Sequence, residues 1–414
     1  MSSVHLLGSP GHLAQLRSEE RRLVRFPRSV VTQQGDTAVW SRTGDPVPGA
    51  VSPTFGTARI AHVFALAAER GEPWARGVSF DLLDYLAAFG ARGWPDNPAR
   101  PTEGQDLYTL AFVILAAASG TAAGHPASPQ MLSEALQRLD RQFWEPEHGL
   151  AADRADAAGR LDPYRGLNGN MHLAEALFAA ADVTGNGLLR ARALGICGFV
   201  IRQAEQRNWR ICEHYGEDWS PLPQHNLEEP HHTFKPYGAT VGHGFEWARL
   251  LAQSAGFGPA GQLAAATALF DRAAADGWQP GEHPGFCYTT DWDGRPVSTR
   301  RLHWVAAEAL ASASVLFRLT GEDRFAAQYD EWFHHVGSAF MDRESGSWHH
   351  EVDAENRAGP PLPTDKPDLY HAYQAVLIPQ LPVRTSLAAA VTARPKREKR
   401  TTTVPPAVVR LPEA

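Results

Sequence analysis

The sequence predicts an all-α fold, an (α/α)6 barrel built as a toroid of about twelve helices, and three observations lead there. Helical periodicity dominates the chain, while alternating strand patterns are scarce. Five Ala-rich helical segments stop at a glycine, at Gly71, Gly120, Gly185, Gly256 and Gly321, which is the expected left-handed cap. After most of these stops a second helix begins within a few residues, giving helical hairpins. The stops are 49, 65, 71 and 65 residues apart, too long and uneven for a tetratricopeptide or HEAT array. Hairpins joined by long loops fit a closed ring better. The alternative architecture is an open helical solenoid serving as a binding scaffold.

In chain order, amphipathic segments lie at 56–69, 80–92, 105–119, 131–143, 170–184, 187–205, 240–255, 262–275, 301–319 and 323–339. Weaker ones lie at 11–25 and 367–377, the latter following an X-Pro start signal at Lys366–Pro367. The long connections 206–239, 278–300 and 341–366 are rich in Trp, Tyr, His and acidic residues. Gathered at one rim, they would form a polar, aromatic-walled cup suited to a sugar. Residues 1–382 read as one catalytic domain and 383–414 as a disordered tail rich in Pro, Thr and basic residues.

Composition narrows the function classes. The 414 residues are 43% hydrophobic and 21% charged, an ordinary soluble balance. The three cysteines, Cys197, Cys212 and Cys287, lack CxxC spacing and argue against a disulfide framework or a zinc site. No signal peptide and no membrane-length apolar run is evident, so a cytoplasmic location is expected. The net charge of −7 offers nothing to a nucleic-acid backbone. Seven basic and two acidic residues fall in the tail, leaving 32 basic and 44 acidic residues in the body. There is no GxSxG, P-loop, HExxH or GxGxxG after a strand, which weakens hydrolase, kinase, zincin and nicotinamide readings.

Among 18 histidines, three begin helices that follow loops, where a side chain can face an opening. His172 stands in RGLNGNMHLAEAL with Asn168 and Asn170 before it and Glu175 placed for a capping interaction. His243 stands in ATVGHGFEW with Glu246 three residues on, on the same helix face and able to orient the imidazole. His371 stands in KPDLYHAYQAV. Histidine suits acid–base work near neutral pH, and two around one substrate can move a proton on and off carbon.

At these motifs the chain resembles the N-acylglucosamine 2-epimerase superfamily, in particular its D-mannose isomerase branch. The matching segments are TARIAHVFALA (57–67), FWEPEHGL (143–150), LDPYRGLNGNMHLAEALFAAADVTG (161–185) and PYGATVGHGFEWARLL (236–251). GFCYTTDWDGRPVSTRRLHWVAAEAL (285–310) and GSWHHEVDAENR through KPDLYHAYQAVLIPQLP (346–382) continue the match. The resemblance implies an (α/α)6 barrel and metal-independent, cofactor-free isomerisation of an aldose to a ketose. D-mannose and D-fructose are the implied pair, with D-lyxose and D-xylulose as relatives, through a cis-enediol. It implies His243 and His371 as the acid–base pair and Arg59 on the substrate oxygens. Asn168 and His172 would bind near the reacting end, and Glu246 and Glu308 would hold hydroxyls or position the histidines. Trp304 and Tyr108 would line the pocket. Two positions depart from the pattern: Leu110 replaces a polar residue and Lys235 an arginine.

The expected partner is therefore a monosaccharide, with no nucleic acid or membrane, in a monomer or homodimer. A sugar 2-epimerase is the near alternative. A toroidal glycoside hydrolase with Glu246 and Glu308 as its carboxylates, or a silent sugar-binding scaffold, stands further off.

Overall fold

Six helices of this chain are buried on nearly every side, and they alternate with six that bury only part of their surface. A computed structural model describes residues 5–100, 104–232, 234–363 and 365–393. The buried set comprises α2 (Thr54–Glu69), α4 (Leu107–Ala122), α6 (Leu167–Thr184), α8 (Val241–Ser254), α10 (His303–Thr320) and α12 (Tyr370–Leu377). Their neighbours in sequence are α1 (Pro10–Arg25), α3 (Ala75–Ala87), α5 (Ser128–Arg138), α7 (Gly187–Glu205), α9 (Gln262–Gly277) and α11 (Asp323–His335). The first set forms an inner ring, each member packed against the next and α12 closing on α2. The second set lies outside it, each helix covering an inner one. The helices α5 and α11 both unwind into a π turn, at Leu139–Phe143 and Val336–Phe340. That explains why the sequence pattern continues to 143 and 339. The third helix lies about five residues earlier than its pattern, at 75–87 rather than 80–92.

The glycine stops divide. Gly185 and Gly321 take the left-handed conformation just past α6 and α10, as expected of caps. Gly120 instead lies inside α4, where an added Cβ would stand 2.2 Å from the Ser128 hydroxyl, so it serves close helix packing. Gly256 follows α8 without a positive φ.

A second repeat governs the rim. The residues just before α4, α6, α8 and α10 each form a short antiparallel ladder with a loop 48 to 51 residues later. In each case the first amide of the inner helix donates to the residue preceding that loop strand: Leu107 to Asp153, Leu167 to Glu213, Val241 to Tyr288 and His303 to His350. Four equivalent loop residues are thereby held against four inner-helix entries.

The described chain runs past the expected boundary at 382. Thr385 and Ser386 donate to Asp182 at 2.8 and 2.7 Å, and Ser386 caps a further helix, α13 (Leu387–Thr392), packed on α2, α4 and α6. Residues 383–393 therefore belong to the barrel. The basic run from Arg394 onward lies outside the described residues. Among the described residues, no helix is long and apolar enough to cross a membrane.

Candidate active site

All six inner helices begin at one cavity of about 340 Å³. Each contributes side chains from its first two turns: Arg59 from α2, Tyr108 from α4, Asn168 and His172 from α6, His243 and Glu246 from α8, Trp304 from α10, and His371 from α12. The first amides of these helices are taken by rim loops, but the aligned peptide dipoles still turn their positive ends toward this floor, favourable to negative charge developing on a bound molecule.

Two imidazoles are held in the same manner. His243 Nδ1 is 2.5 Å from Glu213 Oε1, and His371 Nδ1 is 2.9 Å from Glu308 Oε1. A carboxylate there accepts the Nδ1–H, fixing the tautomer and leaving Nε2 as the basic nitrogen. Trp304 packs near both rings, its centroid 5.2 Å from that of His243 and 5.6 Å from that of His371.

Beneath the histidines lies a buried charge network centred on Arg249, whose side chain is 1% exposed. Its guanidinium donates to Glu308 Oε2 at 2.8 Å, and to Glu175 Oε1 and Glu246 Oε1 at 3.4 Å each. Burial works to raise all three carboxyls, but Arg249 with His371 holds Glu308 low, and His172, Arg249 and Tyr370 hold Glu175 low. At Glu246, burial and repulsion from Glu308 prevail and push the carboxyl well above the usual range. Burial and the neighbouring Glu308 thus favour the protonated form of Glu246 more than that of an ordinary carboxyl. Two groups here have the spacing of metal ligands, His172–Glu175–Glu246 and Glu246–Glu308–His371. The guanidinium already supplies a cation to the carboxylates of both.

Arg59 donates to Asp368 Oδ2 at 2.9 Å and to the Tyr108 hydroxyl. Its guanidinium stands over the rings of Phe112 at 4.2 Å and Tyr370 at 4.9 Å. Cation–π contacts and the ion pair together fix its direction. Burial lowers His172 to about 3, so that ring is neutral. Asn168 Oδ1 and Glu246 Oε2 are buried without a partner, the kind of deficit that ligand hydroxyls remove.

All nine sequence-derived site residues thus meet around one cavity, Glu308 through its bond to His371. Several expected details differ. His243 is oriented by Glu213, not by Glu246, which faces Arg249 and His172 instead. Glu175 forms no helix cap; it is the partner of Tyr370 and Arg249. Leu110 lies in the core, and Lys235 pairs with Asp153 at 3.2 Å, away from the cavity lining. The long loops do build the rim, but their indoles are structural pins: Trp348 donates to Glu19, Trp219 to Glu145 and Trp292 to the Pro223 carbonyl.

The residues missed in sequence include Glu213, Asp368 and Arg249, together with lining residues such as Tyr288, Arg300, His303 and His350. Three of them, Glu213, Tyr288 and His350, occupy the equivalent rim position of successive repeats. Aligning the hairpins on their inner-helix starts would have exposed that position.

Comparison with known proteins agrees with this architecture. The sequence profile of the N-acylglucosamine 2-epimerase family matches residues 37–375. A D-mannose isomerase of Thermobifida fusca is 40% identical over 400 residues, covering 92% of this chain and 97% of the relative. One of Pseudomonas cannabina pv. alisalensis is 38% identical, covering 93% and 96%. Among solved structures, a D-mannose isomerase crystal structure superposes with a TM-score of 0.84 at 25% identity, covering 91% of this chain and 99% of that one. A cellobiose 2-epimerase from Spirochaeta thermophila DSM 6192 superposes at 0.75 with 20% identity, covering 90% and 97%, a likeness of fold.

Proposed function

The chain belongs to the N-acylglucosamine 2-epimerase family, and on that premise we propose that it is an aldose–ketose isomerase interconverting D-mannose and D-fructose. The observation that carries this reading is the pair of carboxylate-held imidazoles packed near Trp304 in one cavity. Aldose–ketose isomerisation moves hydrogen between C2 and C1 of the open-chain sugar. It needs a base near neutral pKa at carbon, a second acid–base group at oxygen, and stabilisation of the enediol oxygen.

In this scheme Nε2 of His371 takes the C2 proton and returns it to C1 on the same face. His243 exchanges a proton with the ring or carbonyl oxygen. Arg59, already aligned by Asp368, stabilises the developing enediolate, aided by the inner-helix starts. Neutral His172, Asn168 and Glu246 hold the remaining hydroxyls. The cation among the buried carboxylates is Arg249, so turnover is expected to persist in EDTA. D-lyxose and D-xylulose differ from the main pair only beyond the reacting carbons and are expected as secondary substrates. Three buried free thiols fit a reducing, cytoplasmic setting.

Purified protein incubated with EDTA and a panel of aldoses, followed by chromatography, tests this. Fructose from mannose supports the isomerase. Turnover in deuterium oxide should place solvent deuterium in the product, and complete absence of label would indicate a hydride shift. Two histidines lining one cavity also favour a second reading, in which one deprotonates C2 and the other reprotonates it on the opposite face of the sugar. Glucose as the product of mannose would establish that 2-epimerase.

A further inference from the structure

Gly242 is the residue that an ordinary reading of helix α8 does not explain. It is the second residue of the helix, immediately before His243, and its φ lies outside the left-handed region. Nothing in the backbone therefore requires glycine, and alanine is the better helix former. What reserves the position is space. A Cβ built there would stand 2.2 Å from Cζ3, 2.6 Å from Cη2 and 2.9 Å from Cε3 of Trp304. Carbon atoms in contact sit about 3.5–4.0 Å apart, so the indole would have to move by more than an ångström.

The indole has little freedom to move. The rings of His243 and His371 lie at 5.2 and 5.6 Å, tilted 40° and 38° to it, and Tyr288 lies edge-on at 6.0 Å. Both imidazoles are tied from behind by Glu213 and Glu308. A displaced Trp304 must either enter the cavity or press on a histidine.

We propose that Gly242 is a positioning residue: its missing side chain seats Trp304, and Trp304 in turn sets the separation of the two imidazoles. This rests on the isomerase reading for its kinetic consequence, although the steric claim stands on the geometry alone. The glycine touches no substrate and acts through the indole.

Four proteins test it: wild type, Gly242→Ala, Trp304→Leu and the double variant. Each is measured for kcat and KM on mannose, and for its urea unfolding midpoint. Gly242→Ala should lower kcat at least tenfold while KM changes less than threefold, because proton-transfer geometry is disturbed more than hydroxyl binding. Its unfolding midpoint should fall below that of wild type. In the double variant the new methyl group meets no indole, so its midpoint should equal or exceed that of Trp304→Leu, a non-additive result expected only of residues in contact. The unfolding comparison holds even where Trp304→Leu is inactive. If Gly242→Ala does not fold, recovery of folding in the double variant supports the same contact. Wild-type-like kcat in Gly242→Ala, additive midpoints, or a double variant that stays unfolded would overturn the proposal. Failure of wild type to convert mannose would instead refute the isomerase reading, with the midpoints still deciding the contact.

Discussion

Replacing Arg249 with methionine gives the most demanding test of the charge network under the cavity. Methionine preserves much of the length and apolar stem but removes the guanidinium shared by Glu175, Glu246 and Glu308. Arg249 and Glu308 are each 1% exposed, so no solvent replaces the lost cation. Breaking a buried ion pair from one side costs about 3–5 kcal/mol, since a carboxylate is left in low dielectric without compensation. The sign of the pH dependence follows from the directions of the shifts. In the native protein Glu308 and Glu175 are held below their unfolded value, so their contribution is present above about pH 4.3 and fades as pH falls through the lower folded values. In Arg249→Met, burial without a cation places the folded carboxyls above the unfolded value. The deficit is then full at neutral pH and shrinks as the pH falls and the carboxyls take up protons. Urea unfolding of both proteins at pH 7.5 and pH 5 reads this directly. A loss of about 3–5 kcal/mol at pH 7.5 with a narrower gap at pH 5 is expected. A loss below about 1 kcal/mol, the range of exposed pairs, would refute the argument, as would a gap that widens on acidification.

Further outcomes follow from the same geometry. Glu213→Gln removes a charge-assisted bond at 2.5 Å, so kcat on mannose should fall about tenfold to a hundredfold at about 1.4 kcal/mol per decade, and a change within twofold would show that Glu213 does not hold His243. His371→Asn should lower turnover by at least about 10² while circular dichroism stays native, and near-normal turnover would end the proposed scheme. Asp182→Ala strips the hydroxyls of Thr385 and Ser386 of their acceptor; about 1–3 kcal/mol of stability should be lost in urea unfolding, with kcat unchanged.

Much of the fold was legible because helical periodicity marks each helix and the glycine-stopped segments mark the hairpins, although periodicity did not separate the buried inner helices from the outer ones. The shift of α3 and the π turns after α5 and α11 were not legible, since both depend on how a helix end meets its neighbours. At the site, His172, His243 and His371 stood out as histidines opening helices, and motif resemblance supplied the rest. The orienting carboxylate of His243 was read locally, at i+3, because helical spacing is what a sequence displays. Its actual partner, Glu213, lies 30 residues back on a rim loop, and only the ladder with Arg165–Gly166 brings it near. Arg249 was invisible for a different reason. In sequence it looks like one more charge on a helix, and only ring closure makes it central.

The placement of one or two working residues at the start of every inner helix also bears on how the enzyme comes into being. No single stretch of chain holds the whole site, for Arg59 pairs with Asp368 across 309 residues and His371 meets Glu308 across 63. Contacts of such separation cost loop-closure entropy before they return any stability, which slows their formation. During refolding, helicity should therefore recover well ahead of activity. Catalytic competence would appear in a single late step, when α12 docks against α2 and completes the circle.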